Sequence, residues 1–148
     1  MPVIFTAFIR TCVLERQCEN FIANNPALEH LTGLNSLEIV DGHFFIENNG
    51  ALADLTGLDS LWFCGPLHLK DNASLTTVSG LGSLTNASGL LHIEGNDSLT
   101  SLAGLSQLAK IDGTLSVTGN PVLSSLSGID NLDSDSIYQL IVSQNATL

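Results

Sequence analysis

Six asparagines recur along this chain at an almost constant step: Asn25, Asn49, Asn72, Asn96, Asn120 and Asn145, with spacings of 24, 23, 24, 24 and 25 residues. Leucines hold fixed offsets between them, so one structural unit is written about five times. A period of roughly 20–50 residues marks a solenoid, in which each unit buries its apolar side only against its neighbours. The chain of 148 residues is one domain by length, and its core is expected to be a narrow column.

Aligned on the asparagine, the unit reads N-x-x-L-x-x-L-x-G-L-x-x-L-x-x-I-x-G-x-L-x-I-x-x-N. The coil that starts at Asn96 fills it almost completely, with Leu99, Leu102, Leu105, Leu108, Ile111, Leu115 and Val117 in the apolar slots and Gly104 and Gly113 in the glycine slots. The coil from Asn49 is one residue short just before Gly65, and the coil from Asn120 has an extra residue near Asp133–Ser136. The segment G-x-L-x-I alternates apolar and polar residues, the period of a half-buried strand. Stacked in register, these strands form one parallel sheet at about 4.8 Å per coil. Each asparagine follows its strand at a corner, where its amide can bond its own turn and the next coil. A buried amide is tolerable only when its donors and acceptors are satisfied, and an identical neighbour above and below supplies that.

The unit resembles a leucine-rich repeat in a variant similar to the receptor L-domain family, the right-handed β-helical ligand-binding lobes of insulin and growth-factor receptors, with related arrays in fungal cell-wall and bacterial surface proteins. The resemblance covers Cys18 to Leu148 and carries over no ligand-binding residue. It implies an all-β, right-handed parallel β-solenoid of about five to six coils and a recognition role.

Residues 1–18 read as a lead-in and 19–148 as the solenoid. Phe8, Ile9, Cys12 and Val13 fall at helical steps behind a Thr6 N-cap, which predicts a short N-terminal capping helix. Cys12 and Cys18 are candidates for a disulfide in that cap, and Cys64 occupies an inward slot. At the other end Leu148 restarts the repeat, so the array is expected either to continue or to self-associate end to end through its open C-terminal coil.

Fifteen acidic against four basic residues give a net charge of −11. Phosphate recognition needs clustered Lys and Arg, and Arg10, Arg16, Lys70 and Lys110 are scattered, which excludes a nucleic-acid partner. The apolar run Val3 to Ile9 is too short to span a bilayer and lacks the flanks of a signal peptide, so no membrane insertion is expected. Only 13% of residues are charged, so the surface is rich in Ser, Thr, Asn and Gly, which suits an extracellular or cell-surface protein.

Strand alternation predicts three outward columns. The central one is Phe21, Phe45, His68, His92, Ser116 and Ile141. On its glycine side run Glu19, His43, Pro66, Leu90, Thr114 and Gln139; on its asparagine side, Ala23, Glu47, Lys70, Glu94, Thr118 and Ser143. The candidate ligand surface is His43, Phe45, Glu47, His68, Lys70, His92 and Glu94, since exposed aromatic side chains suit a contact surface and the alternating charges can pair across coils. A zinc alternative uses His68, His92 and Glu94, but zinc usually takes four ligands and the fourth is missing. The acidic loop Asp130–Asp135 lacks the glycine and distal glutamate of a calcium loop. Glu47 and Glu94 lie about 10 Å apart, the outer limit for an inverting glycosidase pair, and Lys70 between them is the wrong neighbour for a general acid. No nucleophile–His–acid set and no cofactor signature occurs. Only Thr114, Ser116 and Thr118 make a threonine-type array, too few for ice binding. Asn72, Asn86, Asn96 and Asn145 match the N-glycosylation pattern, but only Asn86 lies off the ladder. The reading is a non-enzymatic recognition or scaffold module that binds protein or glycan through the outward strand face. A structural segment of a longer array and a carbohydrate-active β-helix enzyme are the alternatives.

Overall fold

The computed structural model describes residues 18–148. Eight parallel strands form one continuous sheet: β1 (Glu19–Ala23), β2 (Ile39–Val40), β3 (His43–Glu47), β4 (Phe63–Cys64), β5 (Leu67–Lys70), β6 (Asn86–Glu94), β7 (Lys110–Thr118) and β8 (Ile137–Ser143). The result is an all-β parallel solenoid of about five turns, and its helical content among the described residues is confined to three short 3-10 turns at Ser79–Leu81, Ala103–Leu105 and Ser134–Ser136. The expected capping helix and Cys12 lie outside the described residues. Cys18 is disulfide-bonded, while Cys64 is a free thiol in the core, where burial pushes its pKa up to about 12.

The repeat register holds as the sequence spacing predicts. Phe21, Phe45, His68, His92, Ser116 and Ile141 are partners on successive strands, as are Ala23, Glu47, Lys70, Glu94, Thr118 and Ser143. The inward residues between them, Ile22, Phe44, Ile46, Leu67, Leu69, Leu91, Ile93, Leu115 and Val117, are buried. So are the slots Leu52, Leu55, Leu58 and Leu61 and their counterparts in the next two coils, which close the column from the opposite side.

The asparagines bind consecutive coils. Asn49 Nδ2 donates to the Ile22 carbonyl (2.8 Å) and to Asn72 Oδ1 (3.3 Å), and Asn72 Oδ1 also accepts the Asn49 backbone N–H (3.1 Å). The same three bonds recur for Asn72 with Asn96, Asn96 with Asn120 and Asn120 with Asn145. Each amide therefore spans three coils, and Asn49, Asn72, Asn96 and Asn120 are completely buried.

Three features were not read from the sequence. The residue before each ladder asparagine is left-handed, at Asn24 (φ 59°), Asn48 (55°), Asp71 (54°), Gly95 (65°), Gly119 (63°) and Gln144 (58°). This kink turns the chain so that the next amide points inward. Second, a short parallel run precedes the main strand: β2, β4 and the first residues of β6 and β7 pair through Ile39, Phe63, Asn86 and Lys110. In β6 and β7 the two runs are one bent strand. Its corner is Gly113, where a Cβ would lie 1.7 Å from the Gly89 carbonyl oxygen of the coil beside it, which is why only glycine fits there. Third, the irregularity of the last coil lies at Tyr138 rather than at Asp133–Ser136: Gly113 pairs with Ile137 and Thr114 with Gln139, which leaves Tyr138 bulged out. The missing residue of the coil from Asn49 lies where expected, between Cys64 and Leu67.

Substitutions at three asparagines test this frame. Asn96→Ala strips partners from the Asn72 N–H, the Leu69 carbonyl and Asn120 Oδ1, and should cost at least about 3 kcal/mol in urea unfolding, whereas half-buried Asn25→Ala should cost about 1 kcal/mol. Asn48 is exposed, so Asn48→Ala removes little contact and should lose about 1 kcal/mol through the left-handed backbone alone, with Asn48→Gly neutral or stabilising.

Candidate functional site

In a parallel stack, identical positions on adjacent coils lie about 4.8 Å apart, close to ring-stacking distance. The central outward column uses this. Phe21 and Phe45 stack at 4.6 Å between ring centroids and 10° between planes, and Phe45 and His68 at 4.4 Å and 23°. His43, on β3 two residues before Phe45, lies beside the column at 5.7 Å from Phe45 and 5.8 Å from His68. His92 closes the row edge-on, 6.0 Å from His68 and at 70°. Five rings from four coils thus form a row on one side of the sheet. Phe21, omitted from the candidate set, ends the row with 44% of its surface exposed. Beyond His92 the column changes character: Ser116 points outward in register but is buried between the larger His92 and Ile141.

The asparagine-side column supplies the charge. Lys70 Nζ lies 3.2 Å from Glu94 Oε2 on the next coil, and His92 Nε2 lies 3.2 Å from the same oxygen. The hydrogen bond to Glu94 raises the Lys70 pKa, reinforced by the Glu94 charge. Glu47 acts on Lys70 only through its charge, so the expected alternation closes as a pair between Lys70 and Glu94 and leaves Glu47 out. All seven candidate residues share one face. The set His68, His92 and Glu94 does not gather around a point: the two imidazoles meet edge to face, and Glu94 Oε2 is shared by Lys70 and His92. Among the described residues no group of three His, Cys, Asp or Glu side chains is placed to hold a metal ion.

His43 Nδ1 and His68 Nε2 are buried within the row with no hydrogen-bond partner. Burial lowers the His68 pKa, and His92, His43 and Lys70 lower it further by charge. A proton on His68 would sit among these groups with no carboxylate against it.

Compared with known proteins, this chain matches no family model, no curated protein and no solved structure. No helix among the described residues is long and apolar enough to cross a membrane.

A second aromatic feature escaped the sequence reading. Trp62 and Phe63, at the corner before Gly65, have ring centroids 6.0 Å apart at 54°. Trp62 is 43% exposed, and Ile39, the register partner of Phe63, is 44% exposed. The signal was available: once Cys64 is placed inward, alternation turns Phe63 outward.

The His68 environment gives a pH dependence with a definite sign. Its folded pKa lies below the ordinary 6.5, so across the window from 6.5 down to the folded value the unfolded chain binds more protons. Stability from this group is complete above pH 6.5 and is lost as the pH falls through that window. Thermal unfolding followed by circular dichroism should show a drop in Tm between pH 7.5 and 5, and His68→Phe, which keeps the ring row, should shrink that drop.

Proposed function

We propose that the protein is a non-enzymatic recognition module, secreted or displayed at a cell surface, that binds a protein or glycan through the outward face of its parallel sheet. The observation that carries this reading is the row of five aromatic rings from Phe21 to His92, set in register on one face. Side chains that only solubilise a sheet are polar and charged, whereas contact surfaces are enriched in aromatics flanked by polar groups. Here the rings are flanked by Glu47, Lys70 and Glu94. The rigid sheet beneath holds them without loop ordering, which lowers the cost of binding.

The same reading places the chain among right-handed, leucine-rich-repeat solenoids of the receptor L-domain type. Support comes from the repeat itself, from the buried asparagine at each corner, and from the strong preference of parallel crossover connections for the right hand. A net charge of −11 favours a partner with basic or neutral contact groups.

Protein and glycan arrays probed with the folded chain test the proposal. Binding should appear on one of them, and Phe45→Ala should weaken it at least about tenfold, the loss expected of a central aromatic anchor. Ser79→Ala, on the opposite side of the coil, should leave it unchanged. Silence on both arrays, or binding indifferent to Phe45, would remove the outward face from consideration.

A further inference from the structure

We infer that Asn86 is an N-glycan acceptor and that Trp62 and Phe63 form the platform on which its first sugar lies. Four asparagines carry the acceptor sequence, and the fold separates them. Asn72 and Asn96 are completely buried, with their amide nitrogens committed to Ile46 and Leu69 carbonyls and to the next ladder oxygen. Asn145 is tied into the ladder at both ends of its amide: Nδ2 donates to the Val117 carbonyl at 2.9 Å, and Oδ1 accepts from the Asn120 backbone N–H and Nδ2. Asn86 alone lies off the ladder, at the start of β6, where inward Ala87 turns both Asn86 and Ser88 of its Asn-Ala-Ser sequence outward.

The surroundings of Asn86 supply the independent observation. Asn86 is the register partner of Phe63, and its backbone N–H donates to the Trp62 carbonyl. Its Nδ2 donates to Thr85 Oγ1 (3.2 Å), whose hydroxyl donates to the same Trp62 carbonyl (3.1 Å). The Asn86 amide is therefore tied through Thr85 to the Trp62 backbone, on the strand next to Phe63. Those rings and Ile39 make a contiguous apolar patch away from the aromatic row, of the kind that marks a covered surface. A pyranose has an apolar face of C–H groups and a polar rim, and it suits a ring surface bordered by polar groups. Here Thr85 and Asn86 lie on the border, followed by Lys110, paired with Asp112 at 3.2 Å.

In the transfer, the Asn86 amide nitrogen forms a bond to the anomeric carbon of a lipid-diphosphate-linked oligosaccharide. The bond from that carbon to the phosphate oxygen breaks, the lipid diphosphate leaves, and one amide proton is lost to base. The inference rests on the secreted placement proposed above but on no ligand for the aromatic row, so silence on the binding arrays leaves it intact.

The test is secretion of the full chain from a eukaryotic host behind a cleavable leader. Intact mass should show one N-glycan, absent from both Asn86→Gln and Ser88→Ala; the second variant removes the acceptor sequence without touching Asn86, should Asn86→Gln fail to fold. Trp62 is the only tryptophan, so its fluorescence reports the platform directly. Iodide quenching should be about twofold weaker in the glycosylated protein than after enzymatic deglycosylation, since a ring covered on one face loses about half its access. No glycan at Asn86 would overturn the inference, and a glycan whose removal leaves Trp62 quenching unchanged would overturn the platform.

Discussion

The structure depends on how a completely buried asparagine satisfies its amide. An amide has two donors and an acceptor with two lone pairs, and each group left unpaired in a core costs about 1–3 kcal/mol. Asn72 meets the demand only because Asn49 lies on one side and Asn96 on the other: its Oδ1 accepts two bonds from Asn49, and its Nδ2 reaches back to Ile46 and forward to Asn96. A coil in a different register at this corner would leave these groups orphaned. The ladder therefore fixes register more stringently than the leucines, which tolerate Val78 or Ile129 in their slots.

Fixed register has a consequence for the surface. Side chains at one repeat position are brought to about 4.8 Å whether or not they attract. Phe21, Phe45 and His68 exploit the spacing by stacking face to face, and Lys70 and Glu94 by pairing. His68 and His92 meet edge-on, with His92 turned to Glu94, and burial together with the neighbouring charges lowers the His68 pKa. The spacing that builds the aromatic row thus also makes it responsive to protons.

This explains what was legible in the sequence. Anything that follows from the period could be read: the inward column, the ladder, the three outward columns and the deletion before Gly65. What depends on local backbone could not. The left-handed corners are filled by Asn24, Asn48, Asp71, Gly95, Gly119 and Gln144, and no one residue type fills all six because Asn, Asp and glycine all tolerate that conformation. The run through β2 and β4 is only two residues long in those coils, too short for alternation to register. Tyr138 was missed because an insertion is absorbed where the backbone bulges most easily, not where the sequence alignment breaks. Within the candidate site, the columns were legible and the partner choice was not: that Glu94 rather than Glu47 takes Lys70 depends on side-chain rotamers, which the repeat does not encode.

The inward column is less closely covered in β8 than in the strands before it. Leu140 and Val142 occupy the inward slots of β8 yet are 56% and 40% exposed, while their partners Leu115 and Val117 are completely buried. In a linear array each unit is stabilised by its two interfaces. The aromatic row lies away from β8: its rings come from β1, β3, β5 and β6, and the two strands beneath Phe45 and His68 are each paired on both sides. A face that must present rings without ordering them on contact gains from that placement, because the rigidity of Phe45 and His68 is inherited from coils on either side of them.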